Sequence, residues 1–142
     1  MPARDVLADA NVVLKWFHEQ DEEDVDAARA LLDQHRGRAI RVRMLDLTPY
    51  EVGNALMRCR ARLAAAQVAI VLQAAREICA AVTPDDDELA HSTRLAAEHD
   101  LTLYDATYAA VAQRRGAALA THDAKLLACG LGRRPSELLA RD

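Results

Sequence analysis

The chain has 142 residues, 51% of them hydrophobic and 28% charged, which supplies one packed core and argues against wholesale disorder. Eighteen basic residues stand against 22 acidic ones, a formal net charge of −4, and this excludes a protein that holds nucleic acid by bulk positive charge. Aromatic residues make up 4%, which argues against a broad base-stacking platform or an aromatic-lined sugar cleft.

Val6–Ala8 is a short apolar run ending at Asp9 and predicts a buried strand, followed by a short helix over Asn11–His18. Val25, Ala28, Leu31, Leu32 and His35 recur at helical spacing, so Asp24–Arg36 predicts a helix that Gly37 ends. The acidic run Asp21–Asp24 reads as the cap of that helix. Ile40–Leu47 predicts a second strand with Arg41 and Arg43 on one side, alternating against Val42 and Met44, a candidate contact edge. Thr48 suits an N-cap, Pro49 the first helical position and Glu51 the third, a capping box opening a helix to about Arg62. Ala64–Ala80 predicts a further helix with surplus apolar surface, and Val82-Thr83 a short strand stopped by Pro84. Asp85–Glu88 caps a helix over Asp86–His99. Leu101–Leu103 reads as an extended piece leading to Asp105, followed by a helix over Tyr104–Arg115 that Gly116 closes. Ala117–Thr121 predicts the last strand, ending at His122-Asp123, and Ala124–Cys129 a short helix closed by Gly130. From Leu131 the chain reads as a polar tail. Short apolar strands alternating with amphipathic helices predict one α/β domain around a mostly parallel sheet, with its core over about residues 4–130.

Cys59, Cys79 and Cys129 form no C-x-x-C pair and are odd in number, so they read as buried thiols in a reducing compartment. No apolar run reaches transmembrane length and the N-terminus lacks the pattern of a signal peptide, so the expected location is the cytoplasm.

In a parallel sheet the functional crevice lies outside the carboxyl ends of the strands. Asp9, Asp105 and Asp123 stand at or just after predicted strand ends, and Glu51 lies in the first turn of a helix facing the same edge. Taken singly, each acid is explained as a helix cap. Taken together, four carboxylates on one edge repel one another in a partly desolvated crevice, and a cation would neutralise them. Oxygen donors without His or Cys select Mg²⁺ or Mn²⁺ over zinc, and such a site suits hydrolysis of a phosphodiester.

The segments Val6–Trp16, Pro49–Leu56, Leu103–Ala112 and Thr121–Leu126, in this order and spacing, resemble the motifs of PIN domains, especially of VapC-type toxins. The resemblance implies a three-layer α/β/α fold and a Mg²⁺-dependent endoribonuclease, the toxin of a type II toxin–antitoxin pair. Asp9, Glu51, Asp105 and Asp123 fall on the family's acidic quartet. It implies that Asp9, Asp105 and Asp123 hold metal, that Glu51 holds or orients the attacking water, and that Thr121 and Asn11 support the ligands. Asn11 stands where such toxins frequently carry Ser or Thr. The reaction implied is water attack that leaves 5′-phosphate and 3′-hydroxyl ends. The partners implied are RNA, a VapB-like antitoxin and a second toxin copy.

Lys15, Arg58 and Arg62 are candidate contacts for RNA or antitoxin, the two arginines sharing a helix face at i, i+4. His122 adjoins Asp123 but reads as a bystander. The alternative function is a PIN-like module that binds RNA or protein without cutting. A haloacid-dehalogenase-type phosphatase wants a second Asp where Asn11 stands, and neither a receiver domain nor a two-carboxylate glycosidase matches the order and composition of the chain.

Overall fold

A computed structural model describes residues 3–19, 22–60 and 62–141. Four strands, β1 (Arg4–Ala8), β2 (Ile40–Leu45), β3 (Ala80–Val82) and β4 (Ala118–Ala120), form a parallel sheet in the order β3-β2-β1-β4. Val6 of β1 aligns with Val42 on one side and Ala118 on the other, and Leu45 of β2 aligns with Val82 of β3. Eight helices complete the described fold: α1 (Ala10–Lys15), α2 (Val25–Arg36), α3 (Thr48–Arg58), α4 (Ala65–Ile78), α5 (Asp86–His99), α6 (Leu103–Arg114), α7 (Ala124–Ala128) and α8 (Pro135–Leu138).

Side chains alternate across a strand, so each strand feeds two cores. Val6 and Ala8 of β1, Ile40, Val42 and Met44 of β2, and Ala120 of β4 pack with α1–α4 and α8 on one face. Leu7, Leu45 and Leu119 pack with α5–α7 on the other. This is the three-layer α/β/α arrangement expected from the sequence. His35 ties the first layer together: its Nδ1 accepts the Val42 amide at 3.0 Å and its Nε2 donates to the Ile78 carbonyl at 2.9 Å. Both ring nitrogens are used, which fixes a neutral imidazole with its proton on Nε2.

Several expectations require correction. Asp24 has φ 54° and makes no side-chain cap, while Arg38 (φ 64°), one residue after Gly37, takes the left-handed position that ends α2. Asp21 lies outside the described residues. β2 is an interior strand, and Arg41 on it donates to Asp5 of β1 at 2.9 Å, so the pair of arginines forms no open edge. Residues 101–103 form no strand; Thr102 caps α6 through the Asp105 amide at 3.1 Å, and Asp105 sits inside the first turn. The tail is part of the core: Arg133 bridges to Ala120, Leu138 is buried, and Gln34 exchanges two bonds with Ala140. Its polar composition hid the few apolar contacts that anchor it.

On the second face α5 and α6 are joined by an ion pair between buried Glu88 and exposed Arg115. Glu88, 1% exposed, accepts two bonds of 2.8 Å from Arg115, which also donates to the Thr83 carbonyl at 3.1 Å. The Glu88 side chain also completes the Asp85 capping box at the start of α5. Removing one partner strands a desolvated charge. Arg115→Met is expected to lose about 1–3 kcal/mol in urea unfolding, and Arg115→Met with Glu88→Gln to lose measurably less than Arg115→Met alone.

Candidate active site

Asp9 follows β1 and is 4% exposed. Its Oδ1 accepts the Ala10 amide at 2.7 Å, and its Oδ2 accepts the Thr121 hydroxyl at 2.7 Å and the Asn11 amide at 3.4 Å. Thr121, just past β4, also accepts the Asp123 amide at 3.0 Å, and Asn11 Oδ1 accepts the His122 amide at 3.1 Å. Thr121 and Asn11 thus lock the turn after β4 to the turn after β1. Asp123 caps α7 through the Leu126 amide at 2.9 Å with one oxygen. Gly132 lies against Thr121, where a Cβ would come 2.4 Å from the threonine methyl.

The capping-box reading of Thr48 and Glu51 does not hold. Leu47 is the N-cap of α3 and makes no side-chain bond. The Thr48 hydroxyl instead meets the Tyr108 hydroxyl at 2.6 Å, and Tyr108 donates to Glu51 Oε1 at 2.8 Å. Tyr108 is fully buried on α6 and spans from one helical layer to the other. Nothing in the sequence alone assigns Tyr108 a role; the available signal is its place three residues after Asp105, on the same side of the helix.

Charge effects link the acids in a chain: Asp9 with Glu51 and Asp105, Glu51 with Asp105, and Asp105 with Asp123. Burial holds the Asp9 carboxyl up at about 7, Glu51 and Asp105 adding to the rise and Thr121 opposing it. Burial and the Asp105 charge raise Glu51, against the Tyr108 hydrogen bond. Burial and Asp123 raise Asp105, against Thr102 and Lys125. The neighbours of Asp9 and Glu51 in this set are anions and neutral donors. Among the described residues no three His, Cys, Asp or Glu side chains stand close enough to clasp an ion as placed.

The basic candidates are placed differently from expectation. Lys15 is buried and its ammonium bonds Glu22 at 2.8 Å, so it presents no free charge to RNA phosphate. α3 ends at Arg58, Cys59 is extended and Arg62 has φ 44°, so Arg58 and Arg62 share no helix face. Both are exposed.

A raised carboxyl pKa means that the folded state holds its proton more tightly than the unfolded chain. Ionising Asp9 therefore costs stability progressively from about pH 4 to pH 7, and the full cost is present above pH 7. In chelator, Asp9→Asn is expected to gain on the order of a few kcal/mol at pH 8 and nothing at pH 4, read by chemical denaturation across that range. Gly132→Ala is expected to lose about 1–3 kcal/mol in the same assay by displacing Thr121.

A family model described as PIN domain matches residues 6–129, from β1 through α7. Exonuclease VapC9 of Pyrobaculum aerophilum is 40% identical over 86 residues, a stretch covering 60% of this chain and 64% of that protein. The chain thus matches less than two thirds of the length of that relative. The crystal structure of PAE2754 from Pyrobaculum aerophilum is 31% identical with a TM-score of 0.68, covering 96% of this chain and 95% of that one. FitAcB from Neisseria gonorrhoeae shares the fold at 20% identity and a TM-score of 0.64, covering 94% of this chain and 99% of its own. The structure of FitAB bound to an IR36 DNA fragment does so at 18% and 0.65, covering 96% and 99%. With the family model matching residues 6–129, well over half of its length, this chain belongs to the PIN-domain family.

Proposed function

We propose that the chain is a divalent-cation-dependent endoribonuclease, the toxin of a VapBC-like toxin–antitoxin pair. The observation that carries this reading is the set of four carboxylates at one sheet edge, three of them with raised pKa and none of them in an ion pair shorter than 4 Å among the described residues. Such a cluster is unfavourable without a counter-charge. The donor chemistry fits a hard divalent ion. Asp9, Asp105 and Asp123 would hold Mg²⁺, with Mn²⁺ as its substitute. The bound cation would lower the pKa of water and offset the charge of the phosphate under attack.

The chain's own groups divide the remaining work. Tyr108 engages one oxygen of Glu51, which leaves the other to orient the attacking water and take its proton. Thr121 and Asn11 hold the Asp9 carboxylate in one orientation. Water oxygen bonds to phosphorus, the bond from phosphorus to the 3′ oxygen breaks, and a proton ends on that oxygen, giving 5′-phosphate and 3′-hydroxyl products. The same reading includes an antitoxin partner and a second toxin copy, for which the exposed Met57 and Ile70 offer apolar surface. It also includes a cytoplasmic location; among the described residues no helix is long and apolar enough to cross a membrane.

Asn caps a helix about as well as Asp, so Asp9→Asn should fold, and Glu51→Gln should fold because Glu51 caps nothing. Each is expected to lower Mg²⁺-dependent RNA cleavage by at least about 100-fold, with far-UV circular dichroism unchanged. Chelator should abolish wild-type cleavage and added Mg²⁺ restore it. Cleavage at wild-type rate in both variants, or in the presence of chelator, would refute the assignment.

A further inference from the structure

Thr121 is buried and touches two of the quartet at once: its hydroxyl donates to Asp9 Oδ2 at 2.7 Å and accepts the Asp123 amide at 3.0 Å. What holds Thr121 in turn comes from the C-terminal segment. The Thr121 amide donates to the Arg133 carbonyl at 2.9 Å and the Arg133 amide to the Leu119 carbonyl at 2.8 Å, so residue 133 docks beside Ala120 as a parallel bridge. The Leu131 and Gly132 amides both donate to the Leu126 carbonyl, at 3.1 and 3.2 Å. The segment therefore grips β4 on one side and α7 on the other, and Asp123 lies in the turn between those two elements.

Gly132 stands at the tightest point of this grip. Unlike Gly116 and Gly130 it does not have a positive φ, so its backbone is open to any residue. Space is what demands glycine there. A Cβ would come 2.4 Å from Thr121 Cγ2, while the nearest Leu119 atoms would stand at 3.5 and 3.6 Å, ordinary contact. A β-branched side chain has few χ1 positions, so a push on the Thr121 methyl turns its hydroxyl as well, away from Asp9 and the Asp123 amide. Farther along, Pro135 and Leu138 are buried, and Gln34 of α2 exchanges bonds of 2.7 and 3.1 Å with Ala140. The segment is thus anchored at a distance from the acids it steadies.

We propose that the C-terminal segment is a positioning element of the metal site, with Gly132 as the residue through which it fixes Thr121 and hence Asp9 and Asp123. This rests on the divalent-cation reading above and adds to it that affinity for the ion is set from outside the acidic crevice. Asp9 and Asp123 come from turns that follow different strands, and Thr121 bridges them from a place where the segment packs against its methyl and bonds its amide. Mg²⁺ tolerates little departure from octahedral geometry, so a small displacement of two ligands costs affinity even where the fold survives.

The test reads metal binding directly. Free Mn²⁺ is counted by its electron paramagnetic resonance signal in titrations of the full-length protein, under conditions where circular dichroism shows each variant folded. Gly132→Ala is expected to weaken Mn²⁺ binding about 10- to 100-fold. Thr121→Ser removes the methyl that the new Cβ meets and keeps the hydroxyl, so Gly132→Ala with Thr121→Ser is expected to bind about as tightly as Thr121→Ser alone. Arg115→Met, which destabilises the other face of the sheet, is expected to bind Mn²⁺ as the wild type does. Coupling is reciprocal, so added Mg²⁺ is expected to slow hydrogen exchange of the Arg133 amide in the wild-type protein, a measurement that depends on no variant folding. Wild-type affinity in Gly132→Ala would overturn the proposal. So would an equal loss in Arg115→Met, failure of Thr121→Ser to relieve Gly132→Ala, or Arg133 exchange indifferent to Mg²⁺. A wild-type protein that binds Mn²⁺ but cuts no RNA would sink the ribonuclease reading alone, and one that binds no Mn²⁺ would sink both.

Discussion

Uncompensated negative charge is the constraint around which this molecule is arranged. Elsewhere in the chain buried charges are matched: Glu88 lies against Arg115, and Lys15 against Glu22. At the carboxyl edge of the sheet Asp9 is just as buried, yet its partners are a hydroxyl, a backbone amide and a side-chain amide, with two further acids close by. Neutral donors orient a carboxylate without cancelling its charge. A fold able to place an arginine on Glu88 could have placed one on Asp9 and would have been more stable for it. Accepting that cost at one spot is the usual mark of a site kept for binding or chemistry.

The topology explains why the charge collects where it does. β1 has β2 on one side and β4 on the other, and the chain reaches β4 only after passing through β3 at the far edge. The strand order therefore reverses between β1 and β4, where an open parallel sheet forms its crevice. Asp9 leaves β1 and Asp123 follows β4 across that switch point. Glu51 and Asp105 arrive on α3 and α6, which cover opposite faces of the sheet. The Tyr108 hydroxyl joins those two layers over the edge, by its bonds to Thr48 and Glu51. One buried phenol thus sets the distance between two helices that have few other reasons to meet.

The elements were legible in the sequence because their signals are local. Apolar runs marked the strands, and the positive-φ glycines Gly116 and Gly130 marked the ends of α6 and α7. Alternation of strands and helices was enough for an α/β domain around a parallel sheet, the family resemblance added the three layers, and the positions of the acids at strand ends and a helix start were enough to expect them on one edge. What was not legible depends on contacts between distant segments. A Thr-Pro-x-Glu string reads as a capping box until Tyr108, 57 residues after Glu51, takes both side chains. Lys15 reads as a surface cation until Glu22 closes over it. The last turn reads as a tail until Leu138 enters the core. Arg58 and Arg62 read as neighbours only if the helix continues, and the extended backbone at Cys59 ends it.

Helix capping and site formation turn out not to compete for the aspartates. Asp123 spends one oxygen on the Leu126 amide, and Asp9 one on the Ala10 amide. A carboxylate has two oxygens and several lone pairs, so the bond that starts the helix also fixes the direction in which the remaining lone pairs point. A charged ligand or a developing charge then meets a carboxylate whose rotamer is already chosen, and little ordering entropy is left to spend on binding. The cap is the device that aims the charge. This is why an aspartate at the end of a strand and the start of a helix is ambiguous when read alone, and why the ambiguity ends only when its neighbours in space are shown to be acids as well.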